Sequence, residues 1–223
     1  MNKKESLISN MYDLEHTASA DFLSGFEYPW EALSGIKAFI YELGKSLPAD
    51  EYDSPSEGIW IHKTAKVFES AYIGAPCIIG PETEVRHCAF IRGAALIGSK
   101  CVVGNSTELK NVILFDNVQV PHYNYVGDSI YGFHSHTGAG TIASNLKSDG
   151  SDIVIHNEGE DLETGRRKIG AIVGDYGDVG CNTVMNPGTV IGKHSSVYPV
   201  SMVRGVVPHN SIYKDSNNIV LKK

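Results

Sequence analysis

From residue 59 to 109 a branched or long aliphatic residue returns at every sixth position: Ile61, Val67, Ile73, Ile79, Val85, Ile91, Ile97, Val103 and Leu109. Glycine follows directly at 74, 80, 98 and 104. An amphipathic helix would space its apolar residues by three and four, and a half-buried strand would alternate every two. A period of six fits neither. It fits a parallel β-helix, in which each hexad supplies one short flat side and a turn, and three hexads complete a coil. The aliphatic residue then points inward and stacks on its copy one coil away. The glycine after it is expected at a turn that demands unusual backbone angles.

The period divides the rest of the chain. It shortens by one residue between Leu109 and Leu114, continues through Val120 and Val126, and fades into a glycine-rich stretch around 131–142. Residues 145–169 are polar and aperiodic, and read as a loop thrown out of the coil with a small hairpin. Such excursions from a repeat scaffold commonly serve binding. The hexad returns at Val173, Val179, Met185, Ile191, Val197 and Val203, and 211–223 is a mixed tail. Residues 1–57 lack the repeat. Pro29 opens a segment with Trp30, Leu33, Ile36, Ile40 and Leu43 on one face, which predicts a helix over about 30–46. A weaker helix is expected over 4–14, and 48–58 reads as a linker. The expected organisation is a helical N-terminal cap and linker (1–57), a β-helix (58–210) and a tail. The cap is expected to cover an end of the β-helix, where strand edges and stacked aliphatics would otherwise lie open.

Composition narrows the function. With 19 basic and 26 acidic residues the chain carries a net charge of −7, which argues against a general nucleic-acid binder but leaves room for a local phosphate site. The first residues contain no apolar signal-peptide core, and no run approaches the ~18 apolar residues of a membrane helix. Cys77, Cys88, Cys101 and Cys181 show no metal-ligand spacing and read as small wall residues. A cytoplasmic protein without a metal site is expected; His134 and His136 alone do not make one.

Polar residues that interrupt the repeat are the candidates for chemistry. Arg92 and Lys110 each follow an inward aliphatic, one coil apart, and should stack on one edge. Two cations so placed invite a shared anion; a phosphate suits the fork of Arg and the point charge of Lys. His122 follows Val120-Pro121 beside a turn. A neutral imidazole there can take a proton near pH 7, and Glu108 could hold its other ring nitrogen.

These residues carry a resemblance. The block Arg92, Glu108-Leu109-Lys110, His122-Tyr123-Asn124-Tyr125, Val126-Gly127-Asp128, Gly138-Ala139-Gly140-Thr141-Ile142 and Asn145, resuming at Ile172-Val173-Gly174-Asp175, is similar to the left-handed β-helix (hexapeptide-repeat) acyltransferases. It most resembles the acetyltransferase domain of the bifunctional enzymes that make UDP-N-acetylglucosamine. The resemblance implies a left-handed parallel β-helix, a homotrimer with sites between subunits, and acetyl-CoA as co-substrate. Arg92 and Lys110 would hold the phosphate of an amino-sugar 1-phosphate, Tyr125 and Asn145 would bind the sugar, and His122 would be the general base. Ala139 would lie at the thioester. The chain departs from the family pattern at His136 and Leu146, in the sugar pocket, and at Cys181 and Pro199, in the CoA groove. The loop 145–169 is longer than the family's, so Arg166, Arg167 or Lys168 would stand in for a family lysine. No nucleotide-binding glycine-rich loop precedes the β-helix. An alternative is a non-catalytic β-helix trimer that binds a sugar phosphate or nucleotide sugar. A zinc-dependent relative of the same fold, the γ-type carbonic anhydrases, lacks its histidine pair here.

Overall fold

The computed structural model describes residues 3–157 and 159–222. The chain forms the expected left-handed parallel β-helix of short strands, with helices confined to its N-terminal part. Three flat faces run along it. Face 1 stacks strands Ile59–His62, Cys77–Ile79, Ala95–Ile97, the second half of Glu108–Leu114, the second half of Tyr125–Tyr131, Ala171–Val173, Thr189–Ile191 and Val206–Val207. Face 2 runs from Lys66–Val67 to Ser211–Asp215. Face 3 runs from Tyr72–Ile73 to Met202–Val203.

The inward residue of each hexad builds the core: Ile79, Val85, Ile91, Ile97, Val103 and Leu109 have no exposed surface. The glycine-rich stretch keeps the register. Tyr131, Thr137 and Ala143 take the inward positions there and are buried. A second five-residue step, from Val126 to Tyr131, follows the one after Leu109. The glycines after the inward residue have a different cause from the one expected. They do not have positive φ; instead a Cβ at Gly80 would stand 2.7 Å from the Gly98 backbone and one at Gly104 1.5 Å from the Pro121 carbonyl oxygen. Close approach of the next coil, not backbone angle, excludes a side chain. The left-handed angles fall two residues later, at Glu82, Cys88, Lys100, Ser106 and their successors.

Small polar residues line the inside of the turns. The Thr83 and Thr107 hydroxyls donate to the carbonyls of Gly98 (2.6 Å) and Val120 (2.9 Å). Cys101 occupies the same inner place, with its Sγ 3.0 Å from the Phe115 carbonyl oxygen, and burial pushes its thiol up to about 12. The wall-residue reading of Cys77 and Cys101 thus agrees with their burial; Cys88 and Cys181 lie exposed.

The N-terminal segment lies along face 1 rather than over an end. It comprises α1 (Ile8–Met11), α2 (Ala20–Ser24), α3 (Pro29–Ala32) and α4 (Ile36–Ser46), with 3₁₀ turns at Lys3–Ser6 and Leu14–His16. The helix expected over 30–46 breaks at 33–35, where a Cβ added at Gly35 would stand 3.0 Å from the Phe22 ring. The cause of the side-on position is a second aliphatic stripe. Ile78, Leu96, Ile113, Ile130 and Ile172 precede the inward residues, point outward, and are at most 2% exposed beneath the N-terminal segment and its neighbours. Covering each is worth about 1.5–3 kcal/mol. The end of the stack is closed by the expected linker itself. Residues Tyr52–Ser56 form a strand antiparallel to Ile59–His62, where Pro55 sits on an edge that needs no donor. At the other end Asn218–Leu221 pairs antiparallel with Ser211–Asp215. The loop 145–169 carries the expected hairpin, Val154–Asn157 with Glu160–Glu163. Among the described residues no helix is long and apolar enough to cross a membrane.

Candidate functional site

The β-helix distributes the candidate residues over two edges and two faces. Arg92 and Lys110 follow Ile91 and Leu109 at the edge between faces 3 and 1, on adjacent coils, as their spacing requires: the Arg92 amide donates to the Leu109 carbonyl at 2.8 Å. They do not stand as uncompensated cations. Arg92 Nη1 meets Glu108 Oε1 at 2.9 Å, and Lys110 Nζ lies 3.6 Å from Asp128 Oδ2. Glu108 therefore serves Arg92. Within the chain Arg92 lies on a different edge from His122, which Glu108 was expected to orient.

Asp128 is the centre of this edge, and sequence reasoning did not single it out as a site residue. Its side chain is 8% exposed. Asn111 Nδ2 donates to its Oδ1 at 2.8 Å and Asn145 Nδ2 to its Oδ2 at 2.6 Å. Both Asn111 (φ 54°) and Asp128 (φ 49°) sit in the left-handed region, each in one of the two five-residue steps. Asn and Asp tolerate that geometry; an Asn or Asp in each shortened hexad is the sequence signal that could have found them. Tyr125, on face 3, hydrogen-bonds with Asn145. Burial, then the carboxylates of Glu108 and Asp128, raise its phenol, so it stays a donor. Arg92, Glu108, Lys110, Tyr125 and Asn145 thus come together around Asp128.

A groove runs along this edge. One lobe, about 370 Å³, is lined by Lys37, Arg92, Gly93, Lys110, Asn111 and Asp128. The other, about 670 Å³, is lined by Asn111, Asp128, Leu146 and residues 165–168. Leu33 and Ser34, between α3 and α4, border both. Of the three basic loop residues, Arg166 is tied to the N-terminal segment, donating to the Glu31 carbonyl at 2.7 Å and to the Ser34 hydroxyl at 3.1 Å. Arg167 Nε donates to the Gly150 carbonyl at 2.9 Å.

The remaining candidates lie elsewhere. His122, Ala139, Cys181 and Pro199 follow one another along the edge between faces 2 and 3, with Gly140 N–H donating to the His122 carbonyl (3.0 Å) and Asn182 N–H to the Ala139 carbonyl (2.8 Å). His122 is exposed. His136 stands on face 2, where its Nδ1 lies 2.8 Å from Asp178 Oδ1, and is not with the Asp128 group. That contact comes first among the causes that hold the Asp178 carboxyl below its usual range. Among the described residues no three His, Cys, Asp or Glu side chains converge as a metal site. Between the two edges, the outward row of face 3 is apolar and open toward its two ends, with Tyr72 59% exposed, Phe90 42%, Val184 39% and Met202 68%, and carries Glu108 and Tyr125 at its middle.

Known proteins are similar to part of this chain. The family model of the GMPPB C-terminal domain matches residues 75–159. A bifunctional sugar-1-phosphate nucleotidylyltransferase/acetyltransferase from Sulfurisphaera tokodaii is 32% identical over 105 residues, 47% of this chain and 26% of that protein. The bifunctional protein GlmU of Methanococcus maripaludis is 33% identical over 115 residues, 51% of this chain and 28% of that protein. The match thus spans about a quarter of the length of these relatives. Among solved structures, PerB from Caulobacter crescentus in complex with CoA and GDP-perosamine aligns over 73% of this chain and 56% of that one, at 16% identity and a TM-score of 0.39. The chain resembles the hexapeptide-repeat, left-handed β-helix acyltransferases, and among them the acetyltransferase region of the bifunctional sugar-1-phosphate enzymes.

Proposed function

We propose that the protein is an acetyl-CoA-dependent N-acetyltransferase acting on an amino-sugar 1-phosphate. The observation that carries this reading is the cluster beside the groove: Arg92, Lys110, Tyr125 and Asn145, drawn from separate coils, gather around the buried Asp128 carboxylate, with His136 apart on face 2. Arg92 and Lys110 would receive the phosphate, and Tyr125 and Asn145 the sugar. The amine attacks the thioester carbonyl carbon, forming the C–N bond. His122 takes the ammonium proton, backbone N–H groups near Ala139 stabilise the oxyanion, and the C–S bond breaks. The proton then passes to the departing thiolate, leaving CoA and the N-acetylated sugar phosphate. Cys181 and Pro199, further along the His122 edge, would flank the coenzyme.

His122 and the groove occupy different edges of one chain, so the reaction is assigned to a site shared between copies. The exposed apolar residues at the two ends of face 3 lie between those edges and favour self-association, which the family resemblance makes a homotrimer. The test is release of CoA, followed as free thiol, with acetyl-CoA and a panel of amino-sugar 1-phosphates. His122→Ala is expected to lower turnover by about 10²–10⁴-fold; unchanged turnover would refute the mechanism.

A second reading is a non-catalytic β-helix that binds a sugar phosphate or nucleotide sugar. It is favoured by one observation: among the described residues no carboxylate orients His122. It expects sugar-phosphate binding with no CoA release anywhere in the panel.

A further inference from the structure

Both lobes of the groove gather cations on a chain whose net charge is −7. Lys37, Arg92 and Lys110 line the first, and Arg166, Arg167 and Lys168 the second, against the single carboxylate of Asp128 that both share. These cations are not equivalent. Arg92 is already paired with Glu108, and Lys110 with Asp128. Arg166 is spent on the Glu31 carbonyl and the Ser34 hydroxyl. Lys37, on the first turn of α4, forms no ion pair or hydrogen bond among the described residues and is exposed at the lobe that holds Arg92 and Lys110. Its charge is therefore the uncompensated one in that lobe.

The segment that presents Lys37 is fixed to the groove floor. Asn111 Nδ2 donates both to the Leu33 carbonyl (3.1 Å) and to Asp128 Oδ1 (2.8 Å), so one amide joins the N-terminal segment to the carboxylate at the centre of the site. Arg166 anchors the same turn from the loop side. Ile36 and Ile40, flanking Lys37 on α4, have no exposed surface. A wall held from both sides and beneath presents its groups in place before a ligand arrives.

We infer that residues 33–37 form the outer wall of the acceptor groove and that Lys37 is a phosphate-binding residue, so that the N-terminal segment selects the substrate. The inference deepens the reading above and rests on its phosphorylated acceptor. The ligand chemistry is a phosphate ester on a sugar; a sugar 1-phosphate and a nucleoside diphosphate both offer it.

The experiment is calorimetric titration of the full chain with inorganic phosphate, glucosamine 1-phosphate, UDP and, as a control without phosphate, glucosamine. Lys37→Ala is expected to weaken glucosamine 1-phosphate binding about tenfold, with Lys37→Arg restoring most of it and Lys45→Ala, on the same helix but outside the groove, behaving as wild type. Ser34→Trp, which fills the junction of the two lobes from an exposed position, is expected to block the sugar phosphate. Tighter binding of UDP than of glucosamine 1-phosphate, with the same Lys37 dependence, would assign the lobe to a nucleotide sugar and support the wall. Equal affinity in wild type and Lys37→Ala, with equal melting temperatures, would overturn the inference while leaving the acetyl-transfer reading intact. Failure of the wild type to bind any of the phosphates would overturn it as well. Phosphate binding through Lys37 without CoA release would uphold it and sink the transfer reaction instead.

Discussion

Asp128 accepts from Asn111 and Asn145 and pairs with Lys110, while its own backbone holds a left-handed turn at φ 49°. Asp128→Ala would leave two amides and an ammonium without their acceptor and put a methyl side chain in a conformation it disfavours. A loss of about 2–4 kcal/mol is expected in denaturant unfolding. Asp128→Asn keeps the turn and one acceptor oxygen and should cost less than half of that, yet weaken sugar-phosphate binding by misplacing Lys110. A loss below ~1 kcal/mol for Asp128→Ala would show that the carboxylate does not organise the edge. Arg92 and Lys110 were legible in the sequence because a strict repeat converts spacing into position, whereas Tyr125 and Asn145 came from the resemblance alone. Asp128 and Asn111 were not legible, because their role depends on two five-residue steps, one of which escaped notice. His136, which the resemblance assigns to the sugar pocket, falls on face 2 of the same chain and meets Asp178.

At the scale of elements, the hexad reports only what points inward. The β-helix was therefore readable, and the position of the helices was not. The aliphatic residue before each inward one, from Ile78 to Ile172, forms a second stripe that faces out and demands cover. That demand draws α4 onto the flank, where Gly44 lets the Trp60 ring close to 2.4 Å from where a Cβ would stand. Leu96→Ala or Ile113→Ala, although outside the coil, should cost as much as an interior truncation, about 2–5 kcal/mol by thermal or chemical unfolding. A cost below ~1 kcal/mol would mean that the N-terminal segment packs only loosely there. The linker escaped recognition because its proline and acidic residues suit an exposed edge strand as well as a loop.

Across the whole molecule the faces divide the labour: face 1 is covered by the N-terminal segment, face 2 is largely polar, and face 3 exposes apolar residues on either side of Glu108 and Tyr125. Along the edge between faces 1 and 2 lies a stack in which His134 and Tyr176 are parallel at 5.6 Å and Tyr176 and His194 at 4.7 Å. Covering of the His194 ring, then the neighbouring Lys193 charge, holds its imidazolium below the ordinary histidine range, against the opposing pull of Asp175. A depressed value in the folded chain means that folding favours the neutral ring. The stability this provides is complete above the unfolded value of ~6.5 and is lost as pH falls through the lower folded value. His194→Gln should therefore flatten the decline of stability below pH ~6.5, read from melting temperatures across a pH series. An unchanged slope would assign the acid sensitivity to other groups.

The loop 145–169 has a consequence for how the chain closes on itself. Successive coils pair residues 17 or 18 apart, as in the contacts of Asn145 with Asp128 and of Cys101 with Thr83, whereas the coil that spans the loop brings Ser129 to Ala171 across 42. Closure entropy grows only with the logarithm of length, so this detour costs about 0.8 kcal/mol more than an ordinary coil. Contact order stays low on either side, and the stack can grow from both halves before the detour is joined. The loop's length is thus nearly free to vary. What binds it to the scaffold is the small apolar anchor of Ile153, Ile155 and Leu162, all buried. A loop of another length that kept this anchor would be accepted by the same coils, with a different floor for the groove.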